Sequence, residues 1–253
     1  MKMALKAGRI VVVADVLRFS SAVTTAVANG FTIYPVADQA AIERRARAIG
    51  GNAGGRSGEA RFSLSPLCYL NVQLKGNRKI VLWSPNGAAC ASLVGPRHRA
   101  YIGCLLNARA LGRHLERLAR QRRRGITLIA AGEQQAIDTG ERILYDIKTS
   151  RRVFAIEDYL GCGAVISNIR LPRSAEARVC ELAFRACRSR LRELMLDSFS
   201  GRFLQQKGLT ADVLWASQMD RYAVIPVILG GRIEAEQITG RRYSGGSTIR
   251  RRP

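Results

Sequence analysis

Residues 10–36 read IVVVADVLRFSSAVTTAVANGFTIYPV, and this stretch decides the fold. The apolar run IVVVA predicts a buried strand that ends at Asp15. The segment SSAVTTAVANG predicts a helix, with Ser20 or Ser21 as its N-cap and Asn29 with the following glycine as its end. A second strand, FTIYPVA, follows directly. A strand, a helix and a strand at this short spacing indicate a parallel βαβ unit.

The same alternation continues along the chain. After a helix over roughly 39–49 and a Gly-rich loop over 50–65, strands are predicted at 79–83, 100–103 and 126–131, with helices near 88–94 and 107–121. A polar excursion with the character of a hairpin covers 134–152, helices follow at about 155–168, 175–196 and 201–207, and AVIPVIL is the closing strand. The fold class is therefore a layered α/β/α arrangement with mainly parallel strands, as one continuous sheet or as two similar lobes. We assign residues 1–240 to this domain and 241–253 to a basic, disordered tail.

The composition is that of a globular chain with a large excess of positive charge. Hydrophobic residues make up 47% of the 253 residues, and 41 Lys plus Arg against 19 Asp plus Glu give a formal charge of +22. A basic surface attracts polyanions, so we expect non-specific nucleic-acid binding at low salt. The positive residues are spread along the chain without interleaved aromatic residues, which argues against nucleic acid as the main ligand.

Several classes of protein do not fit the residues. No stretch approaches the roughly 20 apolar residues of a membrane-spanning helix, and Asp15 with Arg18 interrupts the first apolar run before any signal-peptide cleavage site. We therefore expect a cytoplasmic protein with no membrane partner. The six cysteines form no CxxC pair and the two histidines stand apart, which disfavours a zinc site, a disulfide framework and His-based catalysis. Residues 50–57 have the spacing of a P-loop, but Arg replaces its Lys and no strand precedes it.

Polar residues follow the predicted strands, at the edge where ligands bind in open α/β sheets. Asp15 is suited to a divalent cation, and Arg18 to a phosphate group, beside the N–H groups of Ser20 and Ser21 at a helix start. The structural alternative is that Asp15 caps a turn and pairs with Arg18.

Two further groups of residues lie where predicted strands end or predicted helices begin. Asn86 and Gly87 form a turn through which the backbone can approach a ligand, or a turn without a ligand. Glu133 ends a strand, and Glu157 with Asp158 begins a helix. Carboxylates in these positions suit magnesium, although acidic residues in a first helical turn also complement the helix dipole.

Eight blocks resemble the 2-phosphosulfolactate phosphatase family in order. They span about residues 10–234 and are DVLRFSSAVTTAVANG with FTIYPVAD, SLSPLCYL, SPNGAACASL, GCLLNARAL, AAGE, FAIEDYLGCGAVI, DSFSGRFLQQKGLTADV and ASQMDRYAVIPVILGGRIE. The resemblance implies an α/β phosphatase that depends on magnesium and hydrolyses 2-phosphosulfolactate to sulfolactate, a step in coenzyme M synthesis. Two features depart from the family pattern: Leu64 replaces Asn before Ser-Pro, and SPNGA at 84–88 replaces a threonine-rich turn. Both lie in expected substrate loops, so they bear on the substrate more than on the phosphatase chemistry.

The resulting hypothesis is a magnesium-dependent phosphoric monoester hydrolase that acts on a small phosphorylated acid. Asp15 is expected to hold Mg²⁺ with help from Glu133, Glu157 or Asp158. The residues expected in catalysis are Asp15, Arg18, Glu157 and Asp158, and those expected to bind substrate are Ser20, Ser21, Asn86, Gly87 and Asn107. The nucleophile is a metal-activated water or Asp15 itself through an acyl phosphate, and water is favoured because no aspartyl-phosphate motif is present. The alternative is a catalytically silent α/β domain that binds a polyanion, and the sequence leaves open whether the chain forms a homo-oligomer.

Overall fold

A computed structural model describes residues 1–55, 57–72, 76–134, 137–138, 143–144 and 152–237. Within these ranges the helices are α1 (Lys2–Lys6), α2 (Ser21–Ala28), α3 (Ile42–Ile49), α4 (Gly87–Ser92), α5 (Ala108–Arg122), α6 (Ile156–Ile166), α7 (Ala175–Cys187), α8 (Leu191–Asp197), α9 (Phe199–Gln206) and α10 (Thr210–Ala216). The strands are β1 (Ile10–Ala14), β2 (Thr32–Val36), β3 (Asn52–Ala53), β4 (Lys79–Trp83), β5 (Ala100–Ile102), β6 (Ile126–Ala130), β7 (Glu133–Gln134), β8 (Ile137–Asp138), β9 (Ile143–Leu144), β10 (Arg152–Val153), β11 (Pro226–Leu229) and β12 (Arg232–Ala235). Short 3₁₀ turns cover Gln39–Ala41, Pro66–Tyr69, Leu105–Asn107 and Arg188–Arg190, and an irregular turn covers Val16–Ser20.

One mixed sheet takes in eight of these strands, in the order β3-β4-β2-β12-β11-β5-β1-β6. β1 pairs in parallel with β5 and β6, so that Val11 lies opposite Ala100 and Ile10 opposite Ile126. β4 pairs in parallel with β2 and β3. The antiparallel hairpin of β11 and β12 joins the two groups, because β11 pairs with β5 and β12 with β2. The layered, mainly parallel α/β fold is thus confirmed, and the sheet is continuous.

The two faces of β1 pack into different hydrophobic clusters. Val11 and Val13 join the cluster around α2 and α4, while Ile10 and Val12 join the cluster that includes α5 and α6. All four side chains are at most 6% exposed. A strand covered on both sides needs apolar residues at every position, which is why the run IVVVA does not alternate.

The single helix predicted over 175–196 is wrong, because the chain turns at Arg188–Arg190 between α7 and α8. The turn brings Leu191 and Met195 of α8 into the cluster with α5 and α6. Apolar residues continue at helical spacing across the turn, so periodicity alone does not reveal it. Packing against the rest of the molecule decides the direction of α8.

The prediction that AVIPVIL closes the fold is also wrong, because β12 follows β11 as the second strand of a hairpin. Gly230 and Gly231 connect the two strands, with φ of 59° and 75°. Two successive positive φ angles are typical of a two-residue hairpin turn, which glycine enters without steric cost. The signal was therefore present in the sequence, as Gly-Gly between the apolar run PVIL and the alternating segment RIEA.

Other differences are smaller. The predicted loop over 50–65 contains the two-residue strand β3, and neither α1 nor α10 was predicted. Part of the polar excursion at 134–152 lies outside the described residues; in the rest, β7 pairs with β10 and β8 with β9, both antiparallel. The tail at 241–253 lies outside them entirely. Among the helices that the structure describes, none is long and apolar enough to cross a membrane.

The packing of α8 predicts the outcome of a stability experiment. Met195 is fully buried, so Met195→Ala leaves a cavity and should lower the free energy of unfolding by about 2–4 kcal/mol, measured by urea denaturation. Leu182 of α7 is 64% exposed, and Leu182→Ala should change that free energy by no more than about 0.5 kcal/mol. Equal losses in the two variants would show that α8 does not pack as described.

Candidate active site

A cavity of about 380 Å³ lies at the carboxyl end of β1. Asp15, Arg18, Asn86 and Glu133 line it from the segments that follow β1, β4 and β6, and Ser200 lines it from α9. We call it the carboxylate cavity. Its location agrees with the rule that ligands bind outside the carboxyl ends of strands in α/β sheets.

Asp15 is the first polar residue after β1 and is only 4% exposed. Its Oδ2 accepts a hydrogen bond of 2.6 Å from the main-chain N–H of Gly87, at the start of α4. A Cβ on residue 87 would collide with Phe19 and lie 2.6 Å from that oxygen, so the approach requires glycine. Four strands lie between β4 and β1 in the sheet. The hydrogen bond from Gly87 to Asp15 joins the segment after β4 to the segment after β1.

Asn86 connects the turn after β4 to Glu133. Its Nδ2 donates to Glu133 Oε1 at 2.7 Å, and the N–H of Gln134 donates to the same oxygen at 3.1 Å. Ser200 Oγ approaches Glu133 Oε2 at 3.4 Å. In the described part of the chain, the buried Oδ1 of Asn86 has no hydrogen-bond partner. A buried acceptor without a donor is uncommon and suggests a group that a ligand completes.

Glu157 and Asp158 begin α6 and are 2% and 3% exposed. Asp158 Oδ1 accepts a hydrogen bond of 2.7 Å from the N–H of Val16, and its Oδ2 accepts one of 3.0 Å from the N–H of Gly132. Asp158 therefore ties the turn after β1 to the segment after β6. Main-chain donors contact both of its oxygens, and Asp158 is not among the residues that line the carboxylate cavity.

The buried carboxylates perturb one another. Burial raises the pKa of Glu133 to about 7, the charges of Asp15 and Glu157 add to the rise, and the Asn86 hydrogen bond opposes it. Burial also raises the pKa of Glu157. The pKa of Asp158 is raised well above its usual value by burial and by the charges of Asp15 and Glu157. Such crowding favours a proton or a cation in the site. No three His, Cys, Asp or Glu side chains of the described chain are placed to bind one metal ion together.

Arg18 reaches the cavity from the irregular turn after β1. Its Nη1 contacts Asp212 Oδ2 at 2.6 Å and donates to Ser57 Oγ at 2.9 Å. Asp212 of α10 is 2% exposed, and its other oxygen accepts a hydrogen bond of 2.6 Å from Ser65 Oγ. The sequence reasoning missed Asp212. The one signal was its place in the block DSFSGRFLQQKGLTADV, where no residue stood out.

Four of the residues predicted to bind substrate are not among the lining residues of the carboxylate cavity, and each makes contacts within the protein. Ser20 Oγ accepts from the N–H of Asp15 at 2.9 Å, and Ser21 Oγ donates to the carbonyl of Val16 at 2.8 Å. Asn107 is fully buried and accepts from the N–H of Cys104 at 3.0 Å. The N–H of Gly87 is taken by Asp15. A buried polar group bonds to the nearest main-chain partner, so these side chains shape the turns around the cavity.

Comparisons with known proteins agree on one family. The family model described as 2-phosphosulpholactate phosphatase matches residues 2–231. A probable 2-phosphosulfolactate phosphatase of Symbiobacterium thermophilum is 29% identical over 241 residues, which cover 90% of this chain and 94% of that protein. One of Pseudothermotoga lettingae is 28% identical over 227 residues, covering 87% of this chain and 90% of that protein. One of Caldanaerobacter subterraneus is 24% identical over 240 residues, covering 90% of each.

The raised pKa of Glu133 predicts a pH-dependent stability. A carboxyl whose folded-state pKa is about 7 against a usual 4.5 binds its proton more tightly in the folded protein. The resulting stabilisation is complete below pH 4.5 and is lost as the pH rises through about 7. Glu133→Gln stays neutral and keeps the shape of the side chain. In EDTA, the free energy of unfolding of this variant relative to that of wild type should therefore rise by about 1–3 kcal/mol between pH 5 and pH 8, measured by urea denaturation.

Glu193→Gln is the matched control for this experiment. Arg190 lowers the pKa of the exposed Glu193, so this carboxyl stays ionised throughout that pH range. Its stability difference from wild type should be constant with pH. A constant difference for Glu133→Gln as well would show that Glu133 does not titrate near neutrality.

Proposed function

The chain belongs to the 2-phosphosulfolactate phosphatase family, and from that membership and the geometry of the carboxylate cavity we propose that it hydrolyses 2-phosphosulfolactate to sulfolactate and phosphate. The observation that carries the proposal is that Asp15, Arg18, Asn86 and Glu133 meet in one cavity. We propose a cytoplasmic enzyme that serves coenzyme M synthesis, as the resemblance in sequence implied. Nothing in the comparisons favours the alternative of a silent polyanion-binding domain.

We propose Mg²⁺ as the cofactor, because the groups that line the cavity suit a hard cation. Asp15 and Glu133 offer carboxylate oxygens there, and Asn86 offers a buried amide oxygen with no partner in the described chain. Mg²⁺ needs only one or two protein carboxylates and keeps several waters, so the absence of a three-residue cluster among the described residues does not conflict with it. When bound, the ion would offset phosphate charge and lower the pKa of a coordinated water. Of the four expected ligands, Asp158 is the least suited, because both of its oxygens already accept N–H groups.

Arg18 is proposed to bind the phosphate group. Its hydrogen bonds to described residues both use Nη1, which leaves Nε and Nη2 to form a two-pronged contact with phosphate oxygens. Asp212 and Ser57 fix the direction of the guanidinium, and the other oxygen of Asp212 is held by Ser65. We therefore propose Asp212 as the residue that positions Arg18.

Water is proposed as the nucleophile. Asp15 Oδ2 accepts a hydrogen bond from the N–H of Gly87, which fixes the orientation of the carboxylate. A carboxylate held in this way suits a metal ligand better than an attacking nucleophile. In this scheme Asp15 and Glu133 orient the attacking water, and Arg18 holds the phosphate in line. A phosphorylated Asp15 trapped during turnover would contradict the scheme and favour an acyl phosphate intermediate.

The two departures from the family pattern lie at this site. Leu64 and the turn residues Ser84, Pro85 and Asn86 all line the carboxylate cavity. A difference between this chain and the better-known members of the family would therefore concern how the acid part of the substrate is held. Comparing turnover of 2-phosphosulfolactate and of other phosphorylated small acids tests the proposed substrate.

Asp15→Asn should lower kcat at least about 100-fold, because it removes a charged oxygen from the reacting end of the cavity and keeps the side-chain volume. Phosphate release from 2-phosphosulfolactate and from a generic phosphate monoester is measured while Mg²⁺ is titrated. Asp38→Asn is the matched control, since Asp38 is exposed and lies outside the cavity lining. Near wild-type turnover of Asp15→Asn at saturating Mg²⁺ would contradict the assignment.

Arg18→Lys should raise KM about tenfold although the charge is kept, because lysine cannot make the planar two-pronged contact. Asp212→Asn should raise KM as well, because Arg18 keeps its charge but loses its charged anchor. The measurement is KM and kcat for 2-phosphosulfolactate, with circular dichroism to check the fold. Unchanged kinetics in Arg18→Lys would place Arg18 outside the substrate site.

A further inference from the structure

A second cavity, of about 340 Å³, lies at the opposite end of β1 and β6 from Asp15. Its lining includes Arg9, just before β1, and Gly125, just before β6. Five arginines line it: Arg9, Arg120, Arg123, Arg124 and Arg173. Its floor is apolar, formed by Ile126, Leu128, Ile169 and Leu171, and no acidic residue is among the described residues that line it. We call it the arginine cavity.

Uncharged oxygens of the protein hold two of these arginines in place. Arg9 donates from Nε to Thr127 Oγ1 at 2.5 Å and from Nη2 to the carbonyl of Ile126 at 2.8 Å. Arg173 donates from Nη2 to the carbonyl of Ile169 at 2.5 Å. Neutral acceptors orient a guanidinium but leave its positive charge in place. The positive groups are therefore directed before any ligand arrives.

The acidic neighbours offset only part of this charge. Glu116 pairs with Arg120 at 2.8 Å, and Glu181 pairs with Arg173 at 2.9 Å. Arg9, Arg123 and Arg124 form no ion pair with any carboxylate in the described part of the chain. Three uncompensated guanidinium groups around one concavity repel one another, and an anion would remove that repulsion.

The dipole of α5 does not explain the whole arrangement. Basic residues near the end of α5 complement the negative end of that helix, which accounts for Arg120, Arg123 and Arg124. Arg9 precedes β1 and Arg173 precedes α7, so two other parts of the chain bring cations to the same cavity. Ser174, which caps the 13-residue helix α7, also lines it. Arginines from three parts of the chain thus surround an apolar floor. Small-molecule sites combine an apolar lining with a few polar groups in this way.

We propose that the arginine cavity binds a phosphorylated organic molecule of nucleotide size. The arginine forks suit phosphate oxygens, and the floor suits the apolar part of the ligand. The volume falls within the range of small-molecule sites. The site is separate from the carboxylate cavity and does not depend on the function proposed for that cavity.

The test measures ATP binding to the full chain by calorimetry, in EDTA and about 150 mM salt so that long-range attraction to the +22 surface is screened. Wild type is compared with the double variant Arg9→Gln/Arg124→Gln. The charge-matched control is Arg44→Gln/Arg47→Gln on the exposed side of α3. ATP affinity should fall at least about tenfold in the first variant, a change of about 1.4 kcal/mol, and no more than about twofold in the control. Wild type should also bind ATP more tightly than it binds tripolyphosphate or adenosine.

Three outcomes would overturn the proposal: no ATP binding by wild type, equal weakening in the two double variants, or tripolyphosphate binding as tightly as ATP. Thermal melting of each variant checks the fold. Should Arg9→Gln disturb β6, the single variant Arg124→Gln carries the same prediction, because the side chain of Arg124 is exposed and makes no hydrogen bond with the described residues.

Discussion

The hydrogen bond from the N–H of Gly87 to the carboxylate of Asp15 is the contact on which the carboxylate cavity depends. It joins the segments after β1 and β4, whose strands are separated by four others in the sheet. Because Asn86 precedes Gly87, the same contact brings the Asn86 amide to Glu133 after β6. Residues from three strand ends therefore share one wall, and the contact leaves no room for a side chain at position 87.

The acidic residues in and beside the carboxylate cavity are costly to bury, and hydrogen bonds offset only part of that cost. Two main-chain N–H groups satisfy Asp158, whereas Glu133 keeps a pKa near 7 because burial and neighbouring charges outweigh its hydrogen bonds. An uncompensated buried carboxylate destabilises the fold and persists where function requires it. The proposed mechanism needs this balance, because carboxylates that would hold a cation beside an anionic substrate have to keep their charge available to it.

Opposite charges gather at the two ends of β1. Asp15 and its acidic neighbours lie at the carboxyl end of β1, whereas Arg9 and the other arginines of the second cavity gather beyond its amino end. Net charge alone gives no hint of this arrangement, because a total of +22 describes the whole surface. The carboxylate cavity remains acidic in a chain of positive net charge, because the arrangement of nearby residues sets the electrostatic potential at a site.

The sequence by itself determined the class of the fold and most of its strands and helices, because a run such as IVVVA needs burial on both faces. It did not yield α1, α10 or the hairpin of β11 and β12, and it joined α7 and α8 into one helix. The sequence also pointed to Asp15, Arg18, Asn86 and Glu133, because polar residues that follow strands lie at one edge of a sheet. Only the tertiary structure decided which residues meet there. Ser20, Ser21 and Asn107 turned inward to main-chain partners, and Asp212 reached Arg18 from 194 residues away. Contacts of that range depend on how helices pack on the sheet, and no local pattern in the sequence records that packing.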